Sequence, residues 1–155
     1  MLLRSYNESD RKAVIAFVVT GKQTNYVDPL AETLSTTGLY RENYVIEVNG
    51  LIIGFFQIDS KTNNQCIPDH LELHEVIIDS KHQNQGYGKE FLKELFPFLK
   101  EQYSEAAGVC LTVNCKNHSA INLYLRSGFA DTGMIKAEGR SGPQHVMKKD
   151  LARLD

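Results

Sequence analysis

Along the chain, segments whose apolar residues repeat every second position give way to segments where they repeat every third or fourth, and turn-forming residues mark most changes. Leu2 to Tyr6 reads as a short strand. Asn7 or Ser9 then caps a helix through Thr20, with Val14, Phe17 and Val18 on one face. A second helix is predicted from Asp28 to about Thr37, where Pro29 suits the first turn and Gly38 the exit. The clearest local signal is Asn49-Gly50 between two β-rich apolar runs, the preferred two-residue hairpin turn. Residues 61–69 are polar and turn-rich and lead into a long strand from about His70 to Asp79.

The second half continues in the same alternation. A helix begins at Gly86 and Gly88, carrying Phe91, Leu92, Leu95, Leu99 and Tyr103 at helical spacing, and Pro97 inside it should kink the helix or end its regular part. Residues 107–115 read as a strand, 117–128 as a short helix, and Phe129 to Glu138 with Gln144 to Lys149 as two closing strands. No repeat, low-complexity tract or linker interrupts this order, so residues 1–155 are expected to form a single domain.

Composition narrows the class. With 155 residues, 42% hydrophobic and 23% charged, the chain has ordinary globular proportions. A formal charge of -2 leaves no basic excess for phosphate backbones, so nucleic acid is not an expected partner. Cys66, Cys110 and Cys115 form no Cys-x-x-Cys pair, which fits a reducing cytoplasm, and Cys110 and Cys115 read as packing residues. Neither a signal-peptide stretch nor a membrane-length apolar run occurs, so a cytoplasmic location without a membrane partner is expected. No Cys or second His stands at ligand spacing from His74, so no metal is expected.

Gln83-Asn84-Gln85-Gly86-Tyr87-Gly88 lies between an apolar strand and an amphipathic helix. Consecutive backbone N–H groups at a helix N-terminus, with the positive end of the helix dipole behind them, suit a pyrophosphate without a metal. Glycine lets the phosphates approach closely, and Lys89 adds a cation. The pattern is not Gly-x-x-x-x-Gly-Lys-Ser/Thr, and it lacks the third glycine of the dinucleotide fingerprint. Another phosphate-bearing cofactor is implied.

Gln83-x-x-Gly86-x-Gly88 resembles the acetyl-CoA signature of the GNAT family of N-acetyltransferases. A second family pattern follows in Asn117-x-x-Ala120-x-x-x-Tyr124-x-x-x-Gly128-Phe129. The resemblance implies an α/β (α+β) fold: a central mixed, mostly antiparallel twisted sheet of six to seven strands, four helices, and a splay between strands 4 and 5. It further implies that Val76, Ile77 and Ile78 pair with the pantetheine arm of acetyl-CoA, with the Val76 N–H on the thioester carbonyl. The pyrophosphate would lie on the amides of Gln83, Asn84, Gln85, Gly86, Tyr87, Gly88 and Lys89, and the Asn117 side chain would bond the cofactor. Tyr124 matches a tyrosine placed near the thioester sulfur. Asn84 departs from the pattern, standing where glycine is common, in a conformation that asparagine tolerates.

The implied activity is transfer of the acetyl group to a primary amine by direct attack in a ternary complex. An ammonium must lose a proton before it attacks, so a base, acting directly or through a water relay, is required. Glu72 is the favoured candidate, with Glu75 and His74 as rivals; simple alternation points Glu72 and His74 to one face and Glu75 to the other. Residues 22–34, 85–95 and 128–133 are similar to stretches of bacterial diamine and polyamine acetyltransferases, and Asp28, Glu32, Asp69, Glu72 and Glu75 would line an acidic mouth for a polycation. An aminoglycoside, an amino sugar or a protein N-terminus are alternative acceptors, and a non-catalytic acyl-CoA sensor is the alternative of another class. A homodimer is compatible with this reading.

Overall fold

In the computed structural model, residues 1–17, 30–35, 40–60, 67–137 and 142–151 are described. Asn49 and Gly50 both take positive φ, 51° and 79°, which matches the turn twist to that of the flanking strands. The turn joins β2 (Arg41–Val48) to β3 (Leu51–Asp59). Around this hairpin are β1 (Leu2–Ser5) and β4 (His70–Ile78), and further along the chain β5 (Gly108–Asn114), β6 (Ala130–Lys136) and β7 (Gln144–Asp150). The seven strands form one sheet in the order β1-β2-β3-β4-β5-β7-β6. Every pairing is antiparallel except β4 with β5.

That parallel pairing is short. It joins His70, Leu71 and Glu72 to Gly108, Val109 and Cys110, while β3 accompanies β4 as far as Ile78. Beyond Glu72 the two strands therefore part, and the sheet carries a gap between β4 and β5. Gly108 closes the root of the gap: a Cβ there would lie 2.5 Å from His70 Nε2 and 2.7 Å from the Lys149 carbonyl. Only a residue without a side chain lets three strands converge so closely.

Four α-helices are described: α1 (Arg11–Ile15), α2 (Leu30–Ser35), α3 (Tyr87–Gln102) and α4 (His118–Arg126). Of the two candidate caps at the N-terminal end, Asn7 is the one used. Its side chain accepts from Ser9 N–H, and Asp10 returns a bond to Asn7 N–H, opening a 3-10 turn that runs into α1. The described helix ends at Ile15, shorter than predicted, and Val14 and Phe17 are buried as expected. The predicted continuation from Val18 to Thr20, the flanks of the second helix (Asp28, Pro29, Thr37 and Gly38), and Cys66 and Glu138 lie outside the described residues.

The two faces of the sheet carry separate cores. On one, Phe91, Leu92, Leu95 and Leu99 of α3 pack against Tyr44, Phe56, Leu71, Leu73, Leu111 and Met147. Each such side chain contributes about 1.5–3 kcal/mol relative to exposure. On the other, Val14, Phe17 and Leu34 cover Val45, Phe55 and Ile77. Pro97 neither ends nor interrupts α3, which runs to Gln102. The carbonyl it leaves without a helical donor is that of Lys93, an exposed residue on the solvent side. Among the described residues no helix is long and apolar enough to cross a membrane.

Candidate active site

The gap is shaped by an irregularity in β4. Between Gln57 and Ile58 of β3 the partner strand advances from Glu75 to Leu73, so His74 is an extra, bulged residue. A bulge shifts the parity of a strand. Leu71 and Leu73 face the α3 core before it, and Val76 and Ile78 pack against that same core after it, while Ile77 joins the opposite one. Glu72 and Glu75 consequently share the α1/α2 face, and His74 is exposed. This corrects the alternation argument, which assumed a regular strand and placed Glu75 opposite Glu72.

The ladder also fixes which backbone groups face the gap. Asp79 N–H donates to Ile53 C=O (2.8 Å), so Asp79 and Ile77 turn their amides toward β3, and Val76 and Ile78 turn theirs toward the parted side. Val76 and Ile78 are therefore the β4 residues whose amides face the gap. Ile77 departs from the expected pairing with the pantetheine arm, since its backbone belongs to the β3 ladder and its side chain to the second core. The Ile78 carbonyl accepts from Gln83 Nε2 (2.8 Å), so the Gln83 side chain ties the following turn to the strand end.

After Ile78 the chain makes a short 3-10 turn (Ser80–His82) and enters α3 through two left-handed residues, Asn84 (φ 61°) and Gly86 (φ 84°). No side chain caps α3. Its first internal bond is Glu90 N–H to Gly86 C=O (3.1 Å), so the amides of Tyr87, Gly88 and Lys89 precede the helical ladder at the positive end of a 16-residue helix. Around Gly86 a Cβ would meet nothing within 4 Å, so the glycine serves its backbone angle and leaves the approach open. At Gly88 a Cβ would stand 3.4 Å from Leu123 Cδ2, which sets how closely α3 and α4 pack. Asn84, Gln85 and Lys89 are exposed beside this turn.

Helix α4 brings the second motif to the same place. Asn117 is its N-cap: Oδ1 accepts from Ala120 N–H (3.3 Å), which leaves the amide NH2 as the group it can offer a cofactor. Gly128 ends the helix at φ 95°, and buried Phe129 sets its ring edge-on to Tyr124 with centroids 5.5 Å apart. The Tyr124 phenol is pushed up to about 12, first by burial and then by the negative charge of Glu75. Tyr124 thus lies within electrostatic reach of Glu75.

On the α1/α2 face the three strands stack their polar residues in rows: Asn43, Gln57 and Glu75 in one, Arg41, Asp59 and Glu72 in the next. Arg41 grips Asp59 through Nε (2.6 Å) and a terminal nitrogen (2.8 Å). That bond raises the guanidinium above its usual range, and Glu72 and Glu75 act in the same direction. Gln57 is fully buried, and its Nε2 donates to Asn43 Oδ1 (2.7 Å) and Thr33 C=O (3.1 Å), tying the row to α2. Sequence reasoning missed Arg41, Asn43, Gln57 and Asp59. The signal was two polar residues, Gln57 and Asp59, at strand spacing within an apolar run. Of the proposed acidic mouth, Glu72 and Glu75 come together, Glu32 is exposed on α2, Asp69 sits at the opposite end of β4, and Asp28 lies outside the described residues. Cys110 is buried opposite Glu72 at the root of the gap, in keeping with a packing role. Among the described residues there is no His, Cys, Asp or Glu cluster able to hold a metal.

A parted sheet whose strand end leads to an uncapped, glycine-bearing helix start leaves backbone amides open at the positive end of a helix, where an anion is favoured. The chain belongs to the acetyltransferase (GNAT) family, whose profile matches residues 12–129. It is thus an N-acetyltransferase of a family that uses acetyl-CoA. It is 28% identical over 141 residues to the uncharacterized N-acetyltransferase YbbJ of Bacillus subtilis, covering 85% of this chain and 86% of that one. The fold is similar to the ribosomal-protein-S18-alanine N-acetyltransferase of Escherichia coli (22% identity, TM-score 0.71, 99% and 96% covered). It is equally similar to a spermidine N-acetyltransferase of Vibrio cholerae solved with CoA and spermine (18% identity, TM-score 0.75, 97% and 95% covered). The residues present fit acetyl-CoA: open amides at the α3 start, an approach clear of side chains at Gly86, and the stretch of β4 at Val76 and Ile78 that lies beyond its last pair with β5.

Proposed function

We propose that the protein transfers the acetyl group of acetyl-CoA to a primary amine by direct attack within a ternary complex, and that the acceptor is a diamine or polyamine. When bound, acetyl-CoA supplies an acetyl thioester. Glu75 would take the proton that the ammonium must lose, and Tyr124 would hold a proton for the departing sulfur. The observation that carries this reading is the place of Glu75 on β4, beyond the last pair with β5 and on the polar face it shares with Gln57, Arg41 and Asp59. A phenol at about 12 stays protonated at neutral pH, as a proton donor must. Glu75 is preferred to Glu72 because it lies beyond the last β4–β5 pair, whereas Glu72 is 6% exposed at the root, in register with Asp59 and Cys110.

The polycationic acceptor is supported by the chemistry of the face beside the gap. Asp59, Glu72 and Glu75 are gathered around one guanidinium, an arrangement that favours a second positive charge nearby. The Val76 N–H would orient the thioester carbonyl, with Gln83 to Lys89 and Asn117 around the rest of the donor. Thiol release from acetyl-CoA should be measured with spermidine, short diamines, an aminoglycoside and an alanine-terminated peptide. Release with spermidine or a diamine at kcat/KM at least tenfold above the aminoglycoside and the peptide is expected. Saturable coenzyme uptake without release under any amine would favour a sensor instead.

A further inference from the structure

Gln57 is fully buried, yet among the described residues its Oε1 has no hydrogen-bond partner. The amide cannot have been turned the wrong way, because Nε2 spends its two protons on Asn43 Oδ1 and Thr33 C=O, neither of which can donate. A buried acceptor without a donor costs about 1–3 kcal/mol, so its place in the fold asks for a reason. Nε2 is committed to β2 and α2, and the remaining neighbour of Gln57 in the sheet is β4. The residue in register there is Glu75, in the hydrogen-bonded type of pair that sets Cα atoms about 5.5 Å apart.

An ionised carboxylate has no proton to offer Oε1, but a protonated one has. We infer that Gln57 is a positioning residue for the base, its Oε1 standing ready to accept from the Glu75 carboxyl once that group has taken the proton of the acceptor amine. This rests on the reading of Glu75 as the base. The proton moves from the acceptor nitrogen to a Glu75 oxygen, the new O–H donates to Gln57 Oε1, and nothing is oxidised or reduced. Such a bond favours the neutral form of Glu75 and so makes it a stronger base than it would be without Gln57. Around Glu75 the charged or titratable groups of the described elements are Arg41 on β2, Asp59 on β3, His74 and Glu72 on β4, and Tyr124 on α4.

The test is the acid limb of the pH dependence of kcat, with butane-1,4-diamine saturating and acetyl-CoA as donor. Gln57→Met removes the acceptor at nearly constant volume, and the limb should move to lower pH by about one unit. Gln57→Glu instead gives the base a second carboxyl with which to share a proton, and the limb should move to higher pH. Both variants lose the two Nε2 bonds, so loosened packing alone would treat them alike. Opposite shifts, or the stated shift in whichever variant folds, support the inference. No shift in a folded variant that still takes up coenzyme A, or two shifts of the same sign, overturns it. Glu75→Gln separates the two levels: unchanged kcat there would sink the choice of base, whereas a large loss beside an unmoved limb in Gln57→Met would sink the role of Gln57 alone.

Discussion

The donor side and the acceptor side of this site are built from different material. Toward the donor the chain presents backbone: the Val76 and Ile78 edge, the left-handed turn at Asn84 and Gly86, and the uncapped start of α3. Toward the acceptor it presents side chains, Asn43, Gln57 and Glu75 above Arg41, Asp59 and Glu72, each placed by strand register. A backbone cradle depends on conformation and tolerates most residues that can adopt it. A side-chain row depends on which atoms sit at the ends of the residues, so conservative exchanges there should do the greater damage.

The largest expected effect follows from that contrast. Glu75→Gln keeps size and hydrogen-bonding shape and removes only the ability to take a proton, so kcat should fall by about 10²–10⁴. Coenzyme A affinity, measured by calorimetry, should stay within twofold. An equal loss in both would break the division into two halves. Tyr124→Phe should come next, lowering kcat about 10²-fold. With the phenol at about 12, its proton is present throughout pH 6–10 and is lost only as pH rises through that value. The substitution should therefore lower the whole profile in that range without moving either limb. An alkaline limb near pH 9 that vanishes in the variant would contradict the assignment.

The same contrast explains what could be read from the sequence. Gly86, Asn117 and Gly128 announce themselves because the backbone angles and helix ends they serve admit few residues, whereas Gly88 and Tyr124 were legible through the family pattern. The Asn49-Gly50 hairpin was equally legible. From that turn, however, an unbroken ladder would set Asp59 against Tyr40, whereas an irregularity at Ile46/Glu47 brings it to Arg41. A second bulge, at His74, carries Glu75 to the face of Glu72. Because each slip of one residue exchanges the faces of a strand, the acceptor side stayed hidden until register was known. Periodicity records which residues are apolar, and it does not record where a strand takes an extra step.

A smaller effect tests the donor side on its own terms. Gly86→Val forces a β-branched residue to φ 84° and should cost about 1–2 kcal/mol of stability. Coenzyme A affinity should fall at least tenfold as the turn relaxes, while kcat at saturating donor stays within threefold. The turn does its work before the chemistry, so a variant that binds coenzyme normally would remove the cradle from the account.

The smallest effect is the most specific to a cradle made of main chain. Asn84 holds φ 61° with its side chain exposed. Asn84→Gly removes every side-chain atom while keeping the left-handed angle accessible. The relief of strain is offset by the greater freedom of glycine in the unfolded chain, so stability should change by about 0.5 kcal/mol or less. Coenzyme A affinity should remain within twofold of the parent. Asn84→Val, exposed at the same point but averse to the angle, should behave like a milder Gly86→Val. If Asn84→Gly weakens uptake as much as Asn84→Val does, then the asparagine amide itself contacts the donor, and the donor side owes more to side chains than its architecture suggests.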